Sequence, residues 1–89
     1  MMARIVRNYR AYQCKGLVER RRNRITKSVI GVYHAEQAGL EAIPQDPWAT
    51  VCETHSSVLR SATLRLARRS MTYTDWCNEC AEILRKRPA

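Results

Sequence analysis

"WATVCETHSSV" (residues 48–58) runs from a short β-forming segment into Cys52, and His55 follows after two intervening residues. "TDWCNEC" (residues 74–80) repeats that spacing with Cys77 and Cys80. A two-residue gap is what a tight turn needs to aim two ligands at one ion. Twenty-one residues separate the pairs, room for a short helix. Three thiolates and one imidazole complete a tetrahedral shell, so Cys52, His55, Cys77 and Cys80 are the expected ligands of one structural Zn²⁺ per chain. Cys52 and His55 sit on a turn that ends a strand, a zinc knuckle. Cys77 and Cys80 fall in the first turn of a helix, where free N–H groups and the helix dipole favour thiolates. Knuckle plus helix start is the treble-clef arrangement. Two alternatives stay open: a disulfide from Cys77 to Cys80 or Cys52 in an exported protein, and a thioredoxin-like pair, which needs a βαβ setting that this sequence lacks. A closed shell points to a structural rather than a catalytic ion. Of the nearby carboxylates, Glu53, Asp75 and Glu79, Asp75 reads as a helix cap.

Outward from these motifs, "KSVIGVYHA" (residues 27–35) alternates as a strand does, with Gly31 marking a bulge or a close backbone approach. "EQAGLEAIPQDP" is loop. "WATV" is a second strand and "SSVLR" its hairpin return. Ser61 reads as the N-cap of "ATLRLARRSM", with Leu64, Ala67 and Met71 on one face and Leu66 on the neighbouring one. A last helix is expected over residues 75–87, capped by Thr72 or Asp75. Residues 2–14 place Met2, Ile5, Val6, Tyr9 and Tyr12 at helical spacing, and Lys15-Gly16 is a stop. "LVERRRNRITK" reads either as a continued helix or as an arm ordered by a partner. With no Phe in the sequence, the aromatic core candidates are Trp48, Trp76, Tyr9, Tyr12, Tyr33 and Tyr73. His34 reads as a hydrogen-bonded histidine beside the core and as the substitute ligand should His55 fail. Cys14 reads as a small apolar residue.

The fold class expected is therefore a small α+β zinc-stapled domain, a β-hairpin of treble-clef or zinc-knuckle type plus two short helices, preceded by a basic N-terminal helix or arm. Residues 1–27 form the basic segment and residues 28–89 the zinc-binding core. An 89-residue chain has little room for a large core, which is why a metal staple makes sense.

The net charge of +8 is confined to one end. Residues 1–27 carry nine Lys or Arg against Glu19 alone, and residues 28–89 are balanced. Such asymmetry is the footprint of a nucleic-acid arm or of a segment that docks on an acidic surface. No apolar run approaches the roughly eighteen residues of a membrane span, and no signal-like segment opens the sequence, so the compartment expected is reducing cytoplasm.

"VYHAEQAGL…PWATVCETHSSVL…TLRLARRS…DWCNEC" resembles a group of small, mostly uncharacterised bacterial and mobile-element proteins. They share a tyrosine strand, a W-x-x-x-C-x-x-H turn, a T-L-x-L-A-[RK] helix and a closing W-C-x-x-C. The resemblance covers about residues 29–81 and implies a common zinc-binding core on the same four ligands, with Trp48 and Trp76 packing beside the site. Related sequences tend to have Gly where this chain has Ser56, and Pro shortly before the second Trp, where this chain has "YTD".

Function is expected to be non-enzymatic. The sequence has no Ser-His-Asp arrangement, no phosphate-binding glycine loop and no open metal shell with a base, and no small-molecule substrate is implied. One expectation is a zinc-finger-like module binding DNA or RNA backbone through Arg4, Arg7, Arg10, Arg20, Arg21, Arg22, Arg24 and Lys27. Arg65, Arg68 and Arg69, with Arg60 near them, would add a second basic face. The other is a protein-interaction adaptor or inhibitor, its basic surface docked on an acidic partner or nucleoprotein complex.

Overall fold

β-branched and apolar residues at alternate positions pair into one antiparallel sheet that carries the metal-ligand motif at one end. The computed structural model describes residues 15–87. The expected helix over residues 2–14, with Tyr9, Tyr12, Cys14, Arg4, Arg7 and Arg10, lies outside the described residues. The elements within them are β1 (Leu17–Arg22), β2 (Val29–His34), β3 (Trp48–Cys52), β4 (Ser57–Ser61), α1 (Leu64–Arg69) and α2 (Asn78–Arg85). The strands lie in the order β1-β2-β3-β4. The fold is a small α+β domain: a four-stranded antiparallel sheet, two short helices and a Cys₃His cluster.

Register decides what each face of the sheet buries, because side chains alternate across a strand. Ile30 lies opposite Cys52 and Val32 opposite Thr50. That face packs against Ala67, Met71, Cys77 and Cys80, so the cysteines are themselves core residues. Thr50, fully buried, donates its hydroxyl to the Ala67 carbonyl at 2.9 Å and ties β3 to α1. On the other face Tyr33, Ala49 and Val51 pack with Ala35, Ala38 and Leu40 from the loop after β2.

The stretch read as continued helix or arm is in fact edge strand β1, paired with β2 along its length. Its pattern is hidden because the register shifts between Leu17 and Glu19, which breaks the alternation at Val18. Arginines also tolerate an edge, where their stems cover apolar surface and their heads reach water or partners. Gly16, the expected stop, has φ +73°, and a Cβ there would lie 2.6 Å from the His34 carbonyl oxygen.

Beneath β1 lies a polar knot that no sequence motif announces. The Glu53 side chain is 4% exposed. It accepts from the Tyr33 hydroxyl at 2.5 Å and from Arg20 Nε at 3.2 Å, while Arg20 Nη2 donates to the Tyr33 oxygen at 2.9 Å. Burial and the bond to Glu53 both push the Tyr33 phenol up, so it stays protonated and donates. Gly31 makes room for this knot. A Cβ there would meet Glu53 Oε2 and Tyr33 Cε1, each at 2.8 Å. The close approach expected at Gly31 therefore comes from side chains.

Both helix starts differ from expectation. Ser61 is the last residue of β4, and Thr63 caps α1 by accepting from the Leu66 amide. The strand claims Ser61 because it pairs with Trp48. Helix α2 begins after Cys77, which makes no side-chain cap bond, so neither Thr72 nor Asp75 is its cap. Tyr73, expected in the core, is 61% exposed. Ala67 and Met71 are fully buried as expected of their face, while Leu66 is exposed.

Gly31→Ala is expected to lose about 1–3 kcal/mol of stability, since the added methyl must displace groups locked by Arg20. Urea denaturation of the two proteins side by side checks this; an unchanged midpoint would mean that the knot yields freely.

Candidate metal centre

The end of β3 delivers Cys52, and the turn that follows reverses the chain into β4. Ser56 donates its amide to the Cys52 carbonyl at 2.8 Å and adopts φ +66°. A left-handed conformation that favours Gly is thus adopted here by Ser, at a cost of roughly 1–2 kcal/mol. The turn persists because strand pairing fixes both sides of it, with Cys52 opposite Ser57. From the other side, Cys77 occupies the N-cap position of α2 and Cys80 its first turn.

Four side chains converge. One ligand atom from each of Cys52, His55, Cys77 and Cys80 lies within 4.8 Å of all the others. His55 presents Nδ1, at 3.4 Å from Cys52 Sγ, 3.6 Å from Cys77 Sγ and 3.5 Å from Cys80 Sγ. Cys52 Sγ and Cys80 Sγ are 3.9 Å apart. A tetrahedral ion with metal–sulfur bonds of about 2.3 Å and metal–nitrogen bonds of about 2.0–2.1 Å would set sulfurs about 3.8 Å apart and sulfur and nitrogen about 3.6 Å apart. The cluster is compatible with one metal ion. The three thiols are fully buried, which suits a closed shell.

The surroundings tune the sulfurs unequally. Burial pushes the Cys52 thiol up, and the neighbouring sulfurs add to this. At Cys80 burial acts the same way but is outweighed by hydrogen bonds, chiefly from Ser28, and the thiol lies below its ordinary value. Ser28 Oγ is 3.3 Å from Cys80 Sγ, and Thr26 Oγ1 is 3.8 Å away. Both hydroxyls come from the turn between β1 and β2. No spacing rule ties them to the cysteines, so no sequence signal could have found them. Asn23 holds that turn in place, accepting from the Ile25 and Thr26 amides and donating to the Met71 and Thr72 carbonyls. The turn after the arginine run is therefore packed against the metal-ligand cluster.

Trp48 and Trp76 pack against the core that contains the cysteines. His34 lies edge-on to Trp48, ring centroids 5.2 Å apart, beside the core, and among the described residues its buried Nδ1 has no hydrogen-bond partner. His55 fills the ligand position, and His34 is not in the cluster. Among the basic residues, Arg20 is spent on the Glu53 knot. Arg21 and Arg68 both pair with Glu19, which joins β1 to α1. Arg22 donates to the Lys27 carbonyl. Arg21, Arg22 and Arg24 line a cleft of about 510 Å³ with Asn23, Ile25, Met71 and Thr72. Arg65 and Arg69 are exposed on α1, and Arg60 donates to the Asp46 carbonyl, bracing the loop before β3. Among the described residues no helix is long and apolar enough to cross a membrane.

No protein-family model matches the chain, and neither a curated protein nor a solved structure matches it.

Ser28→Ala removes the closest hydroxyl partner of Cys80 without touching a ligand. Zinc affinity, measured by competition with a chromophoric chelator, is expected to fall about 10–100-fold. Unchanged affinity would show that Cys80 needs no such support.

Proposed function

We propose that this protein is a non-enzymatic, zinc-stapled module that binds nucleic acid through its phosphate backbone. Zinc suits the site: three thiolates and one imidazole are its usual structural set, and the spacings match its bond lengths. Cys52, His55, Cys77 and Cys80 would hold one Zn²⁺. When bound, the ion would neutralise thiolate charge and tie the β3–β4 knuckle to α2 in treble-clef fashion. This is also where the resemblance to small bacterial and mobile-element zinc proteins bears, since it rests on the same four residues. Against a catalytic ion stands Glu53, the nearest base in sequence, whose carboxylate is engaged by Arg20 and Tyr33. A cytoplasmic setting accords with three cysteines used as thiols.

The arginine cleft is the observation that carries the nucleic-acid reading. Arg21, Arg22 and Arg24 converge there on a folded edge, not on a free tail, so their placement is preorganised. Arg68 extends the positive surface onto α1, with Arg65 exposed on the same helix. Glu19 lies between Arg21 and Arg68, and its carboxyl is held below the ordinary range by the bond from Arg21. Phosphates neutralised by such a surface release counterions, so affinity falls steeply with salt.

The test is a titration of labelled DNA and RNA at several salt concentrations, comparing the native chain with a triple variant in which Arg21, Arg22 and Arg24 become Ala. The log–log salt slope is expected to flatten by about 1 for each phosphate that the variant leaves unneutralised. Absence of binding at low salt, with capture of an acidic protein that survives nuclease, would favour the adaptor reading instead.

A further inference from the structure

A second groove, of about 560 Å³, has Tyr73 in its lining. Met71 and Thr72 line the arginine cleft and the next residue, Tyr73, lines the groove, so one stretch of chain contributes to both. Their chemistry differs. The groove has aromatic rings that the cleft lacks, Tyr73 and Trp76, beside Leu59 and Leu66, and Arg60 and Arg69 line it as well. Tyr73 is 61% exposed and Leu66 48% exposed. The guanidinium of Arg69 sits 5.7 Å from the Tyr73 ring centroid, which positions the ring. Trp76 is fixed by its Nε1–H bond to the Ser70 carbonyl at 3.0 Å and by packing against the cysteine-bearing core. Asp46 and Asp75 also line the groove. Their charge repels phosphate, whereas their oxygens can accept from the amino and imino groups of a base.

We propose that this groove stacks the bases of a single nucleic-acid strand on Tyr73 while the strand's phosphates lie along the arginine cleft. The proposal rests on the nucleic-acid reading and adds to it a substrate class. A duplex keeps its bases in their own stack and reaches only the arginines, whereas a single strand reaches both surfaces. Stacking platforms beside positive grooves are how single strands are bound without strong sequence preference. The partner is therefore a single-stranded region of DNA or RNA.

The experiment uses the full zinc-loaded chain and fluorescence anisotropy. The probes are a mixed-sequence single strand and its duplex, each as DNA and as RNA. Tyr73→Ala is expected to weaken single-strand binding roughly 5- to 100-fold. Duplex binding and the salt slope should not change, because every phosphate-binding arginine is kept. Tyr73→Phe should restore single-strand affinity, since the ring is kept. Thermal melting confirms that the variants fold, as the exposure of Tyr73 leads one to expect. Equal effects on duplex and single strand, or no effect on either, would overturn the stacking site while leaving backbone binding intact. If no probe binds the native protein at low salt, the nucleic-acid reading falls, and the stacking site falls with it.

Discussion

Helix α2 buries a single side chain, Cys80, and that side chain is a thiol aimed at three other ligand atoms. An eight-residue helix is too short to persist in water by its own hydrogen bonds. Among the described residues its apolar side chains are little covered: Ile83 is exposed and Leu84 only half-buried. What joins it to the sheet is the cluster at its N-terminal end. Three of the seven residues in the buried hydrophobic cluster there are the cysteines 52, 77 and 80. Without an ion, three thiols would fill space in a core with little else to hold it. With one, the knuckle, the helix and the turn between β1 and β2 share a single anchor.

The basic segment is packed against the same cluster. Ser28 and Thr26 lean on Cys80, Asn23 bonds the chain just after α1, and Arg20 is locked to Glu53 in the knuckle itself. Glu53 lies between the ligands Cys52 and His55 in sequence, so one turn both offers metal ligands and grips strand β1. The arginines left facing the cleft are displayed by a strand and a turn whose backbone is already fixed. That spares much of the ordering cost which a disordered arm would meet on binding.

The metal-ligand cluster was legible because its signal is local: two pairs of ligands, each at a two-residue gap, with a strand before one and a helix after the other. Strand β2 was legible from its β-branched alternation, and β3 and β4 from their places on either side of the Cys52–His55 turn. Strand β1 was not, since its bulge at Val18 and its run of arginines hide the period, and only pairing with β2 makes it a strand. Helix caps were misplaced where a longer-range demand prevailed: β4 takes Ser61, and the cluster takes Cys77. Glu53 and Tyr73 exchanged roles for a similar reason. A carboxylate can be buried when an arginine and a phenol meet it, and a tyrosine stays outside when the loop after α1 turns it away from the core. Neither fact is written in the neighbouring residues.

That one zinc ion is a condition of folding is tested most directly by following the far-ultraviolet circular dichroism of the purified chain as a chelator withdraws the metal and zinc is returned. The expected result is loss of the cooperative fold on chelation and recovery that is complete at one equivalent of zinc, because binding free energy here is folding free energy. A metal-free chain that keeps its spectrum and melts cooperatively at the same temperature would contradict it.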